Sequence, residues 1–219
     1  KPLHRMILLS SAYQQSSKSP IEKEAAAKDS ETKLVWKFSR RRLSAEEIRD
    51  SILQVSGRLN EQMGGPSVMV KLEPVMIKML KRPQYWRPTK DASQYDRRTL
   101  YMIYKRNLVL PFMSTFDATD LQLSCARREE STHAPQALEL LNGELANDLA
   151  SSFAERLMRE AKTPAERVDL AFRLATGRSP TGAEKDLSLT FLSEKPDDAL
   201  TLKEFALMVL NTNAFLYVN

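Results

Sequence analysis

Apolar residues recur every three or four positions through much of this chain, the spacing that places them on one face of an α-helix. After Ser44 the positions Ile48, Ile52, Val55 and Leu59 keep this rhythm. After Pro135 it runs through Leu138, Leu141, Leu145, Leu149, Phe153 and Leu157, which predicts one long helix that serves as a central strut. Three shorter segments follow, with Val168, Ala171, Phe172 and Ala175, then Leu187, Phe191 and Leu192, then Phe205, Met208 and Val209. They predict a C-terminal helical bundle over residues 134–219.

Helix starts are marked chemically. Five times a Ser or Thr precedes a Glu by three residues: Ser19 and Glu22, Ser44 and Glu47, Thr163 and Glu166, Thr181 and Glu184, Thr201 and Glu204. In such a pair the hydroxyl accepts a bond from a first-turn amide while the carboxylate reaches back to the cap amide. Pro20 and Pro164 sit at first helical positions, and Gly57 and Gly177 are stop signals. The N-terminal stretch KPLHRMILLSSAY reads as an amphipathic helix in which His4 is a hydrogen-bonded packing residue.

Residues 60–111 break the rhythm. Pro66, Pro74, Pro83, Pro88 and Pro111 interrupt them, together with GGPSV and RPQYWRP, so the segment is expected to be irregular. Thr99, Tyr101, Ile103 and Lys105 alternate with apolar and aromatic neighbours, which allows at most a small β-hairpin with Val68 to Leu72. Residues 14–32, rich in Gln, Ser, Lys and Glu, read as an exposed connection with a weak helix at EKEAAAK. The expected fold is therefore a single mainly α domain, residues 1–219, built as a helical bundle around a Pro-rich middle, with the first helix, the helix after Ser44 and the bundle sharing one core.

Composition changes this picture little. With 219 residues and 42% hydrophobic content the chain can bury its own core, and its one cysteine rules out an internal disulfide framework. No apolar run reaches the roughly 20 residues that a membrane-crossing helix needs. Charge is more informative: residues 1–110 carry 22 Lys and Arg against 11 Asp and Glu, and the remainder carries 11 against 17. The two halves either attract each other or leave a basic face for an anionic partner such as an acidic polysaccharide. RGG, helix-turn-helix and aromatic-platform signatures are absent, so the basic half does not point to nucleic acid.

The densest polar constellation precedes the long helix: Asp117, Asp120, Cys125, Arg127, Arg128, Ser131, Thr132, His133 and Gln136. Cys125 and His133 have the chemistry of a thiolate and imidazole pair, or, with Asp117 and Asp120, of a mixed metal site. Their spacing matches no short metal template, however, and a structural loop with a buried cysteine explains more of the residues. In that reading Ser131 or Thr132 caps the following helix, Arg127 and Arg128 pair with Asp117 or Asp120, Glu129 and Glu130 face the positive helix end, and Gln136 and Asn142 bond to nearby backbone.

A second polar group, Arg42, Glu46, Arg49 and Asp50, has alternating signs at helical spacing. An ion-pair network is the preferred reading over a carboxylate pair doing acid and base work. Trp36, Tyr85 and Trp86 are either half-buried anchors or sugar-stacking rings.

Several blocks carry a family resemblance: LHRMILLSSAYQQSS at residues 3–17, RRRLSAEEIRDSILQVSGRL at 40–59, GGPSV at 64–68, RRTLY at 97–101, the run YMIYKRNLVLPFMSTFDATDLQLSCARREESTHAPQALELLNG at 101–143, and the closing LNTNAFLYVN. In this order they resemble domain of unknown function 1553 (PSD1), a C-terminal domain of large planctomycete-type proteins that often also carry a cytochrome-c-like domain. The resemblance brings no catalytic residue to transfer. It implies a fragment of a larger, exported cell-envelope protein whose partners are its own other domains or envelope proteins. It also implies that any haem lies elsewhere in the parent, because this chain has no Cys-x-x-Cys-His motif and points to no cofactor of its own. A non-catalytic interaction module is the favoured function, with a polysaccharide-binding or polysaccharide-processing domain around the Asp117 to His133 loop as the alternative.

Overall fold

The computed structural model describes every residue except Arg106, Asn107, Asp120, Gln122, Leu123, Glu129, 194–197 and Asn219, and the side chain of Met79. The chain is mainly helical, with one small antiparallel sheet of two strands among the described residues. It divides into two compact units, Lys1–Leu43 with Leu216–Asn219, and Ser44–Phe215.

The first unit holds α1 (Pro2–Leu8), α2 (Glu22–Lys28) and the strands β1 (Arg41–Arg42) and β2 (Tyr217–Val218). Neither helix buries a residue, so α1 contributes nothing to a core, and His4 is exposed rather than packed. Local polar contacts shape the connection. The Asp29 carboxylate accepts from the amides of Lys33 (3.0 Å) and Leu34 (2.7 Å), and the Trp36 indole N–H donates to the Asp29 carbonyl. These bonds fold a turn in which Thr32 and Val35 take positive φ, which β-branched residues rarely adopt. β1 and β2 pair antiparallel, Arg41 opposite Val218 and Arg42 opposite Tyr217, and the Arg40 guanidinium lies 4.5 Å from the centre of the Tyr217 ring.

The second unit carries the large core. Its helices are α3 (Ala45–Ser56), α4 (Pro74–Met79), α5 (Pro111–Thr115), α6 (Ala134–Asn142), α7 (Glu144–Glu160), α8 (Pro164–Thr176), α9 (Gly182–Ser193), α10 (Ala199–Leu210) and α11 (Asn213–Leu216), the last reaching into the first unit by one residue. The most extensive packing is between α7 and α10, with α3 against α7 on another side. Leu149, Phe153 and Leu157 of α7 meet this core with Leu202, Phe205 and Val209 of α10, and Ile48 and Ile52 of α3 are equally inaccessible. Full burial of such side chains contributes about 1.5–3 kcal/mol each, which is why the stripe outweighs local preference.

Three of the five hydroxyl and glutamate pairs start helices as expected. Ser44 with Glu47 and Thr163 with Glu166 form complete capping boxes, and Thr181 with Glu184 exchanges the same two bonds. Two do not. The helix near Ser19 begins at Glu22 without a side-chain cap, and Thr201 lies inside α10, which Asp198 caps by accepting from the Thr201 amide at 2.8 Å. Asp198 wins because its carboxylate sits three residues before a free amide, the same geometry that the Thr201 hydroxyl would offer one turn later. Gly57 and Gly177 end α3 and α8 with φ of 78° and 70°.

The single strut expected after Pro135 is two helices. At Gly143 the backbone turns extended, ψ 140°, ending α6 and starting α7. A Cβ at this position would run into the Glu139 carbonyl oxygen, so the tight junction requires glycine. The break rotates the stripe: Leu138 and Leu141 are exposed at 55% and 44%, while Leu140 takes the core position. In α9, Leu187 and Phe191 also face outward, and Leu192 is the large apolar side chain that it buries.

The middle segment is irregular but closely tied. Single turns of 3-10 helix occur at Pro83–Tyr85 and Thr99–Tyr101, and a longer one at Ala92–Asp96. No hairpin forms between residues 68–72 and 99–105. A lone parallel bridge joins Val68 to Met102, with the Val68 amide donating to the Tyr101 carbonyl (2.7 Å) and the Ile103 amide to the Val68 carbonyl (2.8 Å). The 3-10 turn at Thr99 takes up the residues that a strand would need.

Candidate functional site

The polar residues of α3 build a buried knot. Arg49, 5% exposed, donates from Nη1 to the Arg97 carbonyl (3.0 Å) and Thr99 Oγ1 (3.1 Å), and from Nη2 to the Tyr95 carbonyl (2.5 Å). Burial pushes its pKa down, and the nearby Asp50 and Asp96 carboxylates push it back up. Asp50 Oδ1 accepts from the Thr99 amide (2.7 Å) and hydroxyl (2.6 Å). Arg97, 1% exposed, then clamps the glycine-rich loop: it donates to the carbonyls of Gln62, Gly64 and Pro66, and it stacks 3.6 Å from the centre of the Tyr101 ring. The Tyr101 hydroxyl accepts from the Gly64 amide at 2.8 Å, so the RRTLY and GGPSV blocks lock each other. Arg42, by contrast, lies in β1 of the first unit, not on the α3 face that carries Glu46, Arg49 and Asp50.

The constellation before α6 separates into small paired groups. Asp117, at positive φ of 59°, accepts from the Ser131 hydroxyl (2.7 Å) and amide (2.9 Å). The buried Gln136 side chain donates to the Thr115 carbonyl (3.0 Å) and the Ser131 carbonyl (3.2 Å), tying the loop to the end of α5. Ser131 therefore holds the loop rather than capping α6, and His133 occupies the cap position with no side-chain bond to the helix. Arg128 grips the Glu46 carboxylate through both guanidinium nitrogens at 2.8 and 3.1 Å, not Asp117. Burial opposes ionisation of Glu46, but the Arg128 contact together with hydrogen bonds from its own amide and from Ser44 lowers the pKa. Burial, and then the neighbouring Glu46 charge, pushes the Tyr104 hydroxyl up to about 12.

Cys125 is exposed, which corrects the expectation of a buried thiol, and its Sγ–H donates to the Arg127 carbonyl at 2.8 Å. Arg127, Thr132, His133 and Asn142 are exposed, and Asp120 lies outside the described residues. Among the described residues no group of three or more His, Cys, Asp and Glu side chains is placed to hold a metal ion.

Two further concave features stand out, one holding the Tyr85 and Trp86 rings named from the sequence and one bordering the Arg49 knot that the sequence did not single out. One, of about 640 Å³, is lined by Lys81, Arg82, Tyr85, Trp86, Lys105 and Leu108. Lys105 Nζ lies 4.9 Å from the centre of the Trp86 ring, Trp86 is buried with its indole N–H donating to the Val70 carbonyl, and Tyr85 is 61% exposed. The other, of about 240 Å³, has Leu72, Met102, Phe112 and Met113 in its walls and Glu73, Glu139, Arg58 and Asp148 among its polar groups. Arg58 pairs with Asp96 through Nε (3.0 Å) and Nη2 (3.1 Å), and its Nη1 meets Asp148. Burial, followed by the Glu73 charge, raises the Glu139 pKa. The sequence held a signal for the basic pocket, the run RPQYWRP, but none for the acidic one, whose residues come from separated stretches.

Among the described residues no helix is long and apolar enough to cross a membrane. No curated protein and no solved structure matches the chain. A family model does, over residues 1–192, a span that takes in the Arg97 clamp and the Asp117 loop: the chain belongs to PSD1, the family described as protein of unknown function (DUF1553).

Proposed function

We propose that this chain is a non-catalytic interaction module of a larger, exported cell-envelope protein, working through contacts with other domains of that protein or with its envelope partners. The observation that carries this reading is the mutual pairing of the polar residues most eligible for chemistry. Arg49 and Asp50 are tied to Thr99 and to backbone, the Arg97 guanidinium nitrogens Nη1 and Nη2 go to loop carbonyls, Glu46 is neutralised by Arg128, and Asp117 holds Ser131. A general acid or base needs a group aimed at a substrate with a tuned pKa, and these groups aim at backbone and at each other. Cross-linking mass spectrometry on the intact parent protein tests the reading, with links expected from the second unit's surface to another domain or to an envelope protein. Turnover of any polysaccharide that is abolished by Glu46→Gln or Asp117→Asn would overturn it.

A second reading rests on the basic pocket. Three cations beside an exposed tyrosine suit an acidic polysaccharide, whose charged groups meet Lys81, Arg82 and Lys105 while a sugar ring lies on Tyr85. Titration with heparin at low and physiological salt should show binding that weakens with salt and is reduced in a Lys81→Ala, Arg82→Ala variant. Equal binding of a neutral glucan would remove this reading.

A further inference from the structure

The cavity of about 240 Å³ in the second unit has an uneven chemistry. Its walls are apolar: Leu72, Met102, Phe112 and Met113 are each buried, and Met76 is half-buried. Its charged groups differ in how they are engaged. Arg58 is held by Asp96 and Asp148, and Arg49 donates to two carbonyls and Thr99. The carboxylates of Glu73 and Glu139 have no ion-pair or hydrogen-bond partner among the described residues, and Lys71 is the remaining cation of the lining, on its exposed side.

That leaves two carboxylates on the lining of an apolar hollow, Glu139 half-buried and Glu73 exposed. An anion would meet both of them. A purely apolar ligand would displace water from Glu139 and leave the charge unpaired, an expensive outcome in a low-dielectric site. A divalent cation would find two carboxylates and an apolar wall instead of the six or more oxygens that calcium takes. The volume lies below the roughly 300–1,000 Å³ of pockets for drug-sized ligands, so the occupant is small.

We propose that this cavity is a binding site for a small aliphatic amine, with its ammonium group between Glu73 and Glu139 and its hydrocarbon chain against Leu72, Met102, Phe112 and Met113. An ammonium donates three hydrogen bonds and no acceptor competes, which matches two acceptor-only groups. The strain in the free protein fits: burial and the Glu73 charge hold the Glu139 carboxyl above its ordinary range, so an arriving cation relieves a repulsion already present. This goes beyond the module reading, which stands whether or not the cavity binds an amine.

The test uses the methionines as reporters. Met76, Met102 and Met113 line the cavity, whereas Met6 and Met63 are exposed elsewhere. With methyl-labelled methionine, hexylammonium should shift the three cavity methyls saturably, and hexanol and hexanoate should bind at least about tenfold more weakly, the loss expected when a charge-assisted bond is removed. Glu73→Gln and Glu139→Gln should each weaken hexylammonium by a similar factor. Glu139→Gln should also raise the thermal midpoint of the free protein, so lost binding is not confused with lost folding. Hexanol binding as tightly as hexylammonium, unchanged affinity in the Glu73→Gln, Glu139→Gln double variant, or no saturable shift at the three methyls would overturn the proposal.

Discussion

At the scale of single residues, Arg97 has the largest structural consequence. Its guanidinium serves three loop carbonyls and a ring face while 1% exposed, so truncation releases the exposed Gln62 to Pro66 loop and empties a buried space beside the Tyr101 ring. Arg97→Ala is expected to cost about 3 kcal/mol or more in denaturant unfolding. Arg97→Lys should recover little, because one ammonium cannot reproduce a planar fork that also stacks. Two glutamates should respond to pH with opposite signs. Hydrogen bonds from Arg178, with Nη2 at 2.7 Å, hold Glu184 down to about 2 against burial, so its contribution is present above the unfolded carboxylate range near ~4.3 and fades as pH falls towards about 2. Glu139 is raised instead, so its native state keeps a proton longer and stability falls as pH climbs from the unfolded range through the folded pKa. Unfolding curves from pH 2 to pH 7 should therefore show Glu184→Gln less stable than wild type at neutral pH and Glu139→Gln more stable.

At the scale of elements, helix ends separate expectation from outcome. The competition at α10 is directly testable: Asp198→Ala should lose about 1 kcal/mol, whereas Thr201→Ala should stay within about 0.5 kcal/mol, since the cap acceptor is the carboxylate and not the hydroxyl. Equal losses, read from chemical denaturation, would show that the hydroxyl shares the cap. Helices α6 and α7 illustrate the other limit. Their joint apolar rhythm continues across Gly143, but the extended ψ there turns Leu138 and Leu141 to solvent and brings Leu140 inside. Periodicity reports a face, and a one-residue break in the backbone changes which residues belong to it.

At the scale of the whole molecule, burial is distributed unequally between the two units. The helices of the first unit bury no residue, while α7 and α10 share the densest packing of the second. Amides of α1 and α2 should accordingly exchange with deuterium close to unprotected rates, and those of Leu149 to Leu157 and Phe205 to Val209 should approach the protection of global unfolding. Strong protection of α1 in the isolated chain would show that a stable core forms around its apolar residues. The charge asymmetry also takes on a location at this scale. Part of the basic excess of residues 1–110 converges on Lys81, Arg82 and Lys105, which line one concave surface.

By itself the sequence determined the helical class, the core faces of α3, α7 and α8, three capping boxes and two glycine stops, because each depends on residues within one or two turns of each other. It also carried the family, through blocks distributed along most of the chain. The tertiary structure decided which partners the polar residues take. Arg128 reaches Glu46 and not Asp117, Asp117 holds Ser131, and Arg97 closes on a loop some 30 residues away, with Gln62, Gly64 and Pro66 as acceptors. The cavity with Glu73 and Glu139 belongs to the same class, since Glu73, just before α4, and Glu139 of α6 lie far apart in the chain and only packing brings both to the lining of one hollow. Local chemistry is written in neighbouring residues, but a side chain's partner is set by which backbone segments the apolar core draws together.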